Sequence, residues 1–164
     1  MLYMVMLGGT HPKANIELHD VVFVAGDSLK HTYPQLRALW FAEPEGLHID
    51  AWMAISGVEQ YAVTLADSPG ESNLKLFFIN LGGYFASVFG EDHRYLVLVA
   101  ENTRHAKQLA KQQLIPKWDK PHTDNVFEIE QCVAIEQVAG RYIQLHPAPH
   151  DGCYFENDYI VIAD

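Results

Sequence analysis

The sequence is poor in basic residues and in cysteine. It has 11 lysines and arginines against 21 aspartates and glutamates, which gives a formal net charge of −10 at pH 7. Because nonspecific nucleic-acid affinity comes from neutralising phosphates with Lys and Arg, this balance argues against nucleic acid as a partner. The two cysteines, Cys132 and Cys153, form no CxxC pair, which argues against a disulfide framework or a thiolate zinc site.

Long apolar runs and nucleotide-binding glycine motifs are also absent. The apolar runs are far shorter than the roughly 20 residues that a membrane-spanning helix needs. The first residues lack the basic start and the long apolar stretch of a signal peptide. The glycine pairs lie in neither a GxGxxG nor a GK[ST] pattern, so no nucleotide site is indicated. We therefore expect a soluble cytoplasmic protein with no membrane or nucleic-acid partner.

The chain contains an internal repeat with an offset of 74 residues. The sequence LYMVMLGGTHPKANIELHDVVFVA, which starts at Leu2, returns as LFFINLGGYFASVFGEDHRYLVLVA, which starts at Leu76. In both copies an apolar run ends in Leu-Gly-Gly, and after seven further residues Glu-x-His opens a second apolar run. An uninterrupted apolar run indicates a central strand, and the Gly-Gly pair predicts a turn that ends it.

The hydrophobic pattern predicts the same order of elements in both copies: strand, strand, helix, strand and strand. The fold class is therefore α+β, with two tandem ββαββ units in the element order of a β-grasp or ubiquitin-like roll. We expect the first unit at residues 1–65, a polar Pro-Gly linker at 66–74, the second unit at 75–146 and a C-terminal extension at 147–164. Asn157-Asp158 predicts an extra hairpin in this extension, packed against an exposed sheet edge.

Pairs of histidine and carboxylate residues recur at a spacing of two in both copies. The eight candidate site residues are Glu17, His19, His48 and Asp50 in the first copy and Glu91, His93, His122 and Asp124 in the second. On a strand, this spacing places both side chains of a pair on one face. Such a pair can supply two ligands to zinc or another divalent metal, and further ligands must come from elsewhere in the fold. The alternative is that each histidine makes a structural hydrogen bond.

The phrase LGGTHPKANIELHDVVFVAGDSLKHTYPQLRALWF, followed by LHIDAW, resembles the family of unknown function DUF1543. The resemblance covers residues 1–55 and recurs more faintly in residues 75–130. It implies a small bacterial protein built from one or two copies of the unit, and it implies no particular activity. The second copy has Phe85 where the first has His11, so a role of His11 cannot be common to both copies.

No motif brings together a nucleophile, a general base and a group that orients the base. Cys153 has His146 and His150 nearby in the sequence, but a packing role for this cysteine is favoured over a nucleophilic one. We therefore predict a non-catalytic module that binds a small ligand or a protein, a second copy of itself included, and we expect no cofactor. The alternative is a metal-dependent enzyme of the hydrolase type that uses the His-x-Asp pairs.

Overall fold

The computed structural model describes residues 1–113, 120–121 and 129–162. Its helices and antiparallel sheets confirm the α+β class. By its internal contacts the chain forms two units: unit 1 is Met1–Pro69 with Gln137–Asp164, and unit 2 is Gly70–Glu136. The boundary at residues 69 and 70 falls within the predicted linker. Residues 137–146, however, group with unit 1 and not with the rest of the second copy.

The longer strands and the helices come in the predicted order, and short strands of two residues add to it. The first copy contains β1 (Leu2–Gly9), β2 (Leu18–Ala25), a 3-10 helix (Leu29–Thr32), α1 (Tyr33–Leu39), β3 (His48–Ile55), β4 (Gly57–Val58) and β5 (Tyr61–Ala66). The second copy contains β6 (Lys75–Tyr84), β7 (Asp92–Ala100), α2 (Thr103–Gln113), β8 (Lys120–Pro121), β9 (Ile129–Ile135), β10 (Gln137–Val138) and β11 (Arg141–Pro147). The last strand is β12 (Cys153–Val161). No helix in the described residues is long and apolar enough to cross a membrane.

The main sheet of unit 1 has the strand order β12, β3, β1, β2, and all neighbouring strands are antiparallel. β1 lies in the interior of this sheet, as its uninterrupted apolar sequence predicts. On one face, Leu7 and Ile49 are fully buried together with Leu36 of α1. Because burial of this face sets the register, the neighbouring residues Gly8 and His48 belong to the opposite face.

The last strands of the two copies pair with each other. β5 and β11 form an antiparallel pair in which Ala62 lies opposite His146, and β4 and β10 complete this second sheet of unit 1. A β-grasp instead pairs its first and last strands in parallel. Both edges of β1 are already taken by β2 and β3, so β5 has no edge of β1 to join. The β-grasp analogy therefore does not hold for the strands that are described.

A single strand stands where a C-terminal hairpin was predicted. β12 pairs antiparallel with β3, and the register shifts between Asn157 and Ile160. Asn157 and Asp158 thus lie at a bulge and not at a hairpin turn. The edge of β3 offers a row of backbone donors and acceptors, which one continuous strand can satisfy along its whole length. The expected cover of a sheet edge is present, but the hairpin prediction is wrong.

In unit 2, β6 pairs with its neighbours in the same way as β1 does in unit 1. β6 pairs with β7 on one side and with β9 on the other, and β8 adds a short pairing to β6. Gly82 lies opposite His93, as Gly8 lies opposite His19 in unit 1. The core of unit 2 includes Phe77 of β6, packed with the small residues of α2. The sequence repeat therefore extends to the way in which these strands pair.

Candidate metal centre

Four of the eight candidate residues meet on one face of the main sheet of unit 1. They are Glu17, His19, His48 and Asp50. Glu17 immediately precedes β2 and His19 lies within it, whereas the other two lie in β3. Gly8 of β1 pairs with His19 on one side and with His48 on the other, so the interior strand holds both histidines on the same face.

Gly8 leaves free the space that the cluster occupies. A Cβ atom on this residue would lie 2.4 Å from Asp50 Oδ2 and 2.5 Å from His48 Nε2, which is too close for either contact to persist. Gly8 and Gly9 are the last two residues of β1, and neither has a positive φ. The prediction that this pair forms a turn is therefore wrong. Gly8 is required for close approach of side chains, and Gly9 lies against the ring of Trp40 on the other face.

A β-bulge sets the position of Asp50. In the pairing of β1 with β3, Met6 lies opposite Ala51 and Leu7 lies opposite Ile49, so Asp50 is an extra residue without a partner on β1. Bulges change the direction of side chains and are frequent next to functional sites. In this bulge the carboxylate of Asp50 lies close to the cluster histidines.

Both imidazoles approach both carboxylates. His48 Nε2 lies 3.0 Å from Glu17 Oε1 and 3.3 Å from Asp50 Oδ1. His19 Nε2 lies 3.4 Å from Glu17 Oε2 and 3.3 Å from Asp50 Oδ2. One donor atom each of Glu17, His48 and Asp50 lies within 4.8 Å of the other two. These three side chains therefore form a compact donor group of one imidazole and two carboxylates, and His19 contacts the second oxygen of each carboxylate.

His48 directs its Nε2 atom into this group. The residue is buried, with 2% of its surface exposed. Its Nδ1 atom lies 2.7 Å from the carbonyl oxygen of Gly46, and because a carbonyl only accepts, Nδ1 donates this hydrogen bond. In the neutral ring, Nε2 then carries the lone pair. Despite their short distances to the cluster atoms, His48 Nε2 and Asp50 Oδ2 have no hydrogen-bond partner among the described residues.

Short distances without hydrogen bonds are typical of ligands around a cation. Around a tetrahedral ion with bonds of about 2.0–2.1 Å, neighbouring ligand atoms lie about 3.3 Å apart. The two contacts of His48 Nε2, at 3.0 Å to Glu17 Oε1 and 3.3 Å to Asp50 Oδ1, agree with this spacing, whereas His19 approaches the other oxygen of each carboxylate. Imidazole with carboxylate is a donor set for zinc, manganese or iron, whereas calcium and magnesium prefer oxygen donors alone. The residues present therefore fit a divalent transition metal.

The cluster is closed on the side of β3 and open on the side of β2. The side chains of His19 and Glu17 are 48% and 42% exposed, in contrast to His48. On β12, the ring of Tyr159 packs on the ring of His48 with a centroid distance of 4.3 Å. A metal held here would thus have one side toward solvent, where water or another ligand can bind.

The candidates of the second copy are only partly described. His93 Nε2 lies 4.0 Å from Glu91 Oε2, and His93 Nδ1 lies 3.2 Å from Asn80 Oδ1. Nothing in the repeat marks Asn80, because the first copy has a methionine at the related position. His122 and Asp124 lie outside the described residues, so their role as possible metal ligands stays a prediction.

Cys153 does not form a nucleophilic pair with the nearby histidines. Its Sγ atom lies 3.4 Å from the carbonyl oxygen of Gly57, and burial raises the pKa of its thiol. His146 and His150 hydrogen-bond to other groups of unit 1. Since the thiolate is the reactive form, a raised pKa disfavours nucleophilic chemistry. Cys153 is exposed, however, so the predicted packing role is not confirmed.

Comparison with known proteins places the cluster inside a family segment. The family described as Domain of Unknown Function (DUF1543) matches residues 14–65, the segment that contains all four cluster residues. A crystal structure of a protein Il1583 from Idiomarina loihiensis is 30% identical in sequence and superposes with a TM-score of 0.72, covering 99% of this chain and 98% of that one. No curated protein matches the chain. The chain therefore belongs to the DUF1543 family.

Proposed function

We propose that this protein binds a divalent transition-metal ion in unit 1, with Glu17, His48 and Asp50 as the ligands and His19 beside them on the open side. The observation that carries the proposal is the buried Nε2 atom of His48, which faces two carboxylates and has no hydrogen-bond partner in the described part of the chain. A lone pair close to carboxylate oxygens is unfavourable unless a cation lies between them. The sequence predicts a module that binds a ligand, and this proposal identifies the ligand as a metal ion.

A cluster with a purely structural role is expected to satisfy its own polar atoms. Buried polar groups are nearly always hydrogen-bonded, and one left without a partner costs about 1–3 kcal/mol. Here His48 Nε2 and Asp50 Oδ2 both lack a partner within the described residues, and a single bound cation would satisfy both. The carbonyl of Gly46 on His48 Nδ1 supports the same conclusion, because metal-bound histidines usually donate their other N–H to such a group.

Metal-dependent hydrolysis is the second candidate function, and the open side of the cluster favours it. Structural zinc sites are closed by four protein ligands, whereas catalytic sites keep a position for water. The exposed side chains of His19 and Glu17 leave the metal accessible from solvent. A metal in such a site lowers the pKa of its bound water and supplies hydroxide as the nucleophile.

Metal binding is tested on full-length protein purified without a histidine tag. After removal of metals with EDTA, Zn²⁺, Mn²⁺ and Co²⁺ are titrated by calorimetry, and the Co²⁺ complex is examined by visible absorption. We expect saturable binding and a Co²⁺ spectrum with nitrogen ligands, both lost in His48→Ala. The matched control is His146→Ala, because His146 belongs to unit 1 but contacts Thr64 in the second sheet. Wild-type protein that binds none of these ions, or His48→Ala that binds as wild type does, would contradict the proposal.

Hydrolysis is tested with the loaded protein and simple chromogenic esters. We expect 4-nitrophenyl acetate to be cleaved by the zinc or manganese form and not by the metal-free form or by His48→Ala. The control His146→Ala should retain the activity. A metal-loaded protein that is inactive on carboxylic and phosphoric esters would contradict the hydrolytic function, and metal binding would remain as the proposed function.

Further features of the protein are proposed from other observations. The two cysteines are free, which supports the expected cytoplasmic location. The relative from Idiomarina loihiensis supports a bacterial source. The matching pairing schemes around β1 and β6 support an origin in two copies of one unit. Self-association or a protein partner rests on the sequence alone.

A further inference from the structure

We infer that Tyr159 is a positioning residue of this metal centre and that it acts through the imidazole of His48. The inference rests on the proposed function, because it assigns a role at the same cluster. It adds a residue beyond the ligands themselves. β12 lies outside residues 14–65, the segment that matches the family, so this strand supplements the site from another part of the chain.

Two bulges lie side by side at the level of the cluster. β3 has Asp50 as an extra residue relative to β1. Opposite Asp50, β12 carries two residues, Asp158 and Tyr159, because its pairing steps from Asn157 to Ile160. A regular strand would have one residue at this point. The bulge on β12 therefore determines which way Tyr159 points, and its ring packs on a ligand of the proposed site.

The ring of Tyr159 restrains His48 from the solvent side. The two ring centroids lie 4.3 Å apart with an angle of 36° between the planes. The imidazole is also restrained by its hydrogen bond to the carbonyl oxygen of Gly46. On another side it lies so close to the backbone of Gly8 that a side chain on this residue would collide with it. Groups that fix the orientation of a metal-bound histidine typically contribute 10–100-fold to metal affinity. Tyr159 is placed to be such a group.

Core packing does not account for Tyr159. The residue is 65% exposed, so its burial stabilises the fold little, whereas His48 beneath it is almost fully buried. Large exposed aromatic rings on an edge strand also favour unwanted pairing with other chains. A role at the cluster explains why a tyrosine stands there.

A comparison of two tyrosines of β12 tests the inference. Tyr154 is 58% exposed and packs on Trp52, on the opposite face of the sheet from the cluster. Dissociation constants for Zn²⁺ and Co²⁺ are measured in the full-length protein by competition with a chromophoric chelator. We expect Tyr159→Ala to weaken binding by about tenfold or more and to change the Co²⁺ spectrum. Tyr159→Phe, which keeps the ring, and Tyr154→Ala are expected to bind as wild type does.

Each other outcome is decisive. The inference is overturned if Tyr159→Ala binds like wild type, if Tyr154→Ala loses as much affinity, or if Tyr159→Phe is as weak as Tyr159→Ala. Wild-type protein that binds no metal overturns the proposed function itself and is thus distinguished from these results. Thermal unfolding of the metal-free variants measures any loss of stability. Should Tyr159→Ala not fold, Tyr159→Leu removes the aromatic ring while keeping an apolar side chain, and the same loss of affinity is expected.

Discussion

Gly8 and His48 lie directly opposite each other in the β1–β3 pair, and the imidazole of His48 fills the volume that a side chain on Gly8 would need. The interior strand therefore contributes an empty position, and the side chains of its two neighbours meet above it. Neighbouring residues of the Leu-Gly-Gly motif have different roles on the two faces of the sheet. Leu7 is fully buried in the core on one face, and Gly8 makes room for the cluster on the other.

Gly8→Ala is expected to disrupt the metal site. The added Cβ atom would lie 2.5 Å from His48 Nε2 and 2.4 Å from Asp50 Oδ2, so at least one of these side chains must move. We expect metal affinity to fall by at least about tenfold and the free energy of unfolding to fall by about 1–3 kcal/mol. Calorimetric titration measures the first quantity, and denaturant unfolding in EDTA measures the second.

Gly9→Ala is the matched control for this change. A Cβ atom on Gly9 would lie 2.7 Å from the ring of Trp40, on the core face of the same strand. This variant should also lose stability, but its affinity for metal should remain that of wild type. Equal losses of affinity in both variants would mean that general damage to β1, and not the contact with His48, explains the effect.

The local sequence predicts which side chains of the first copy share a face. The alternating pattern of β3 predicts that His48 and Asp50 share a face, and the repeat singles out Glu17 and His19 on the neighbouring strand. That these two pairs join into one group depends on β1 lying between β2 and β3 with Gly8 at the crossing point. Strand order of this kind is set by contacts between distant segments, which a local pattern does not contain.

The same reason explains what could not be predicted. β5 and β11 pair across the whole second copy, and β12 joins β3 although about a hundred residues separate them. Tyr159 reaches the cluster only through this distant pairing and through the bulge next to it. The sequence predicts a turn at Gly8 because the usual roles of glycine are local, whereas in the structure Gly8 makes space for the side chain of another strand.

Both cysteines are expected to react slowly with alkylating agents in the folded protein. Burial raises the pKa of Cys153 and of Cys132, although Lys107 partly opposes the effect at Cys132. Because the thiolate is the form that reacts, the pH of half-maximal alkylation should be higher in the folded than in the guanidinium-unfolded protein. By linkage, a raised thiol pKa also contributes to the stability of the folded protein. This contribution is present at pH values below the ordinary thiol pKa and is lost as the pH rises through the raised pKa.

Mass spectrometry after timed exposure to iodoacetamide at a series of pH values measures the two rates separately. The unfolded protein is the control for the reactivity of each thiol. Alkylation of Cys153 at neutral pH as fast in the folded as in the unfolded protein would contradict the raised pKa and would reopen the nucleophilic interpretation.

Metal is expected to raise the melting temperature. An ion that binds only the folded state at a hundred times its dissociation constant stabilises that state by about 2.7 kcal/mol, which is several degrees for a chain of this size. Scanning fluorimetry with saturating Zn²⁺ and with excess EDTA measures this shift. His146→Ala should show the full shift and His48→Ala none. A shift of the same size in both variants would indicate binding elsewhere on this acidic protein.

Asp50→Asn separates a metal centre from a structural ion pair. If the cluster binds metal, the metal-free protein holds two carboxylates close together beside the lone pair of His48, and the amide removes one charge and adds N–H donors. Metal-free Asp50→Asn should then be as stable as wild type or more stable, while its affinity for metal falls sharply. If instead the histidines are cations paired with carboxylates, the substitution removes a favourable pair and lowers the free energy of unfolding by about 1 kcal/mol or more. Denaturant unfolding in EDTA distinguishes the two signs for the metal-free cluster, and calorimetric titration measures the metal affinity. Metal affinity that is unchanged in Asp50→Asn would count against the metal centre.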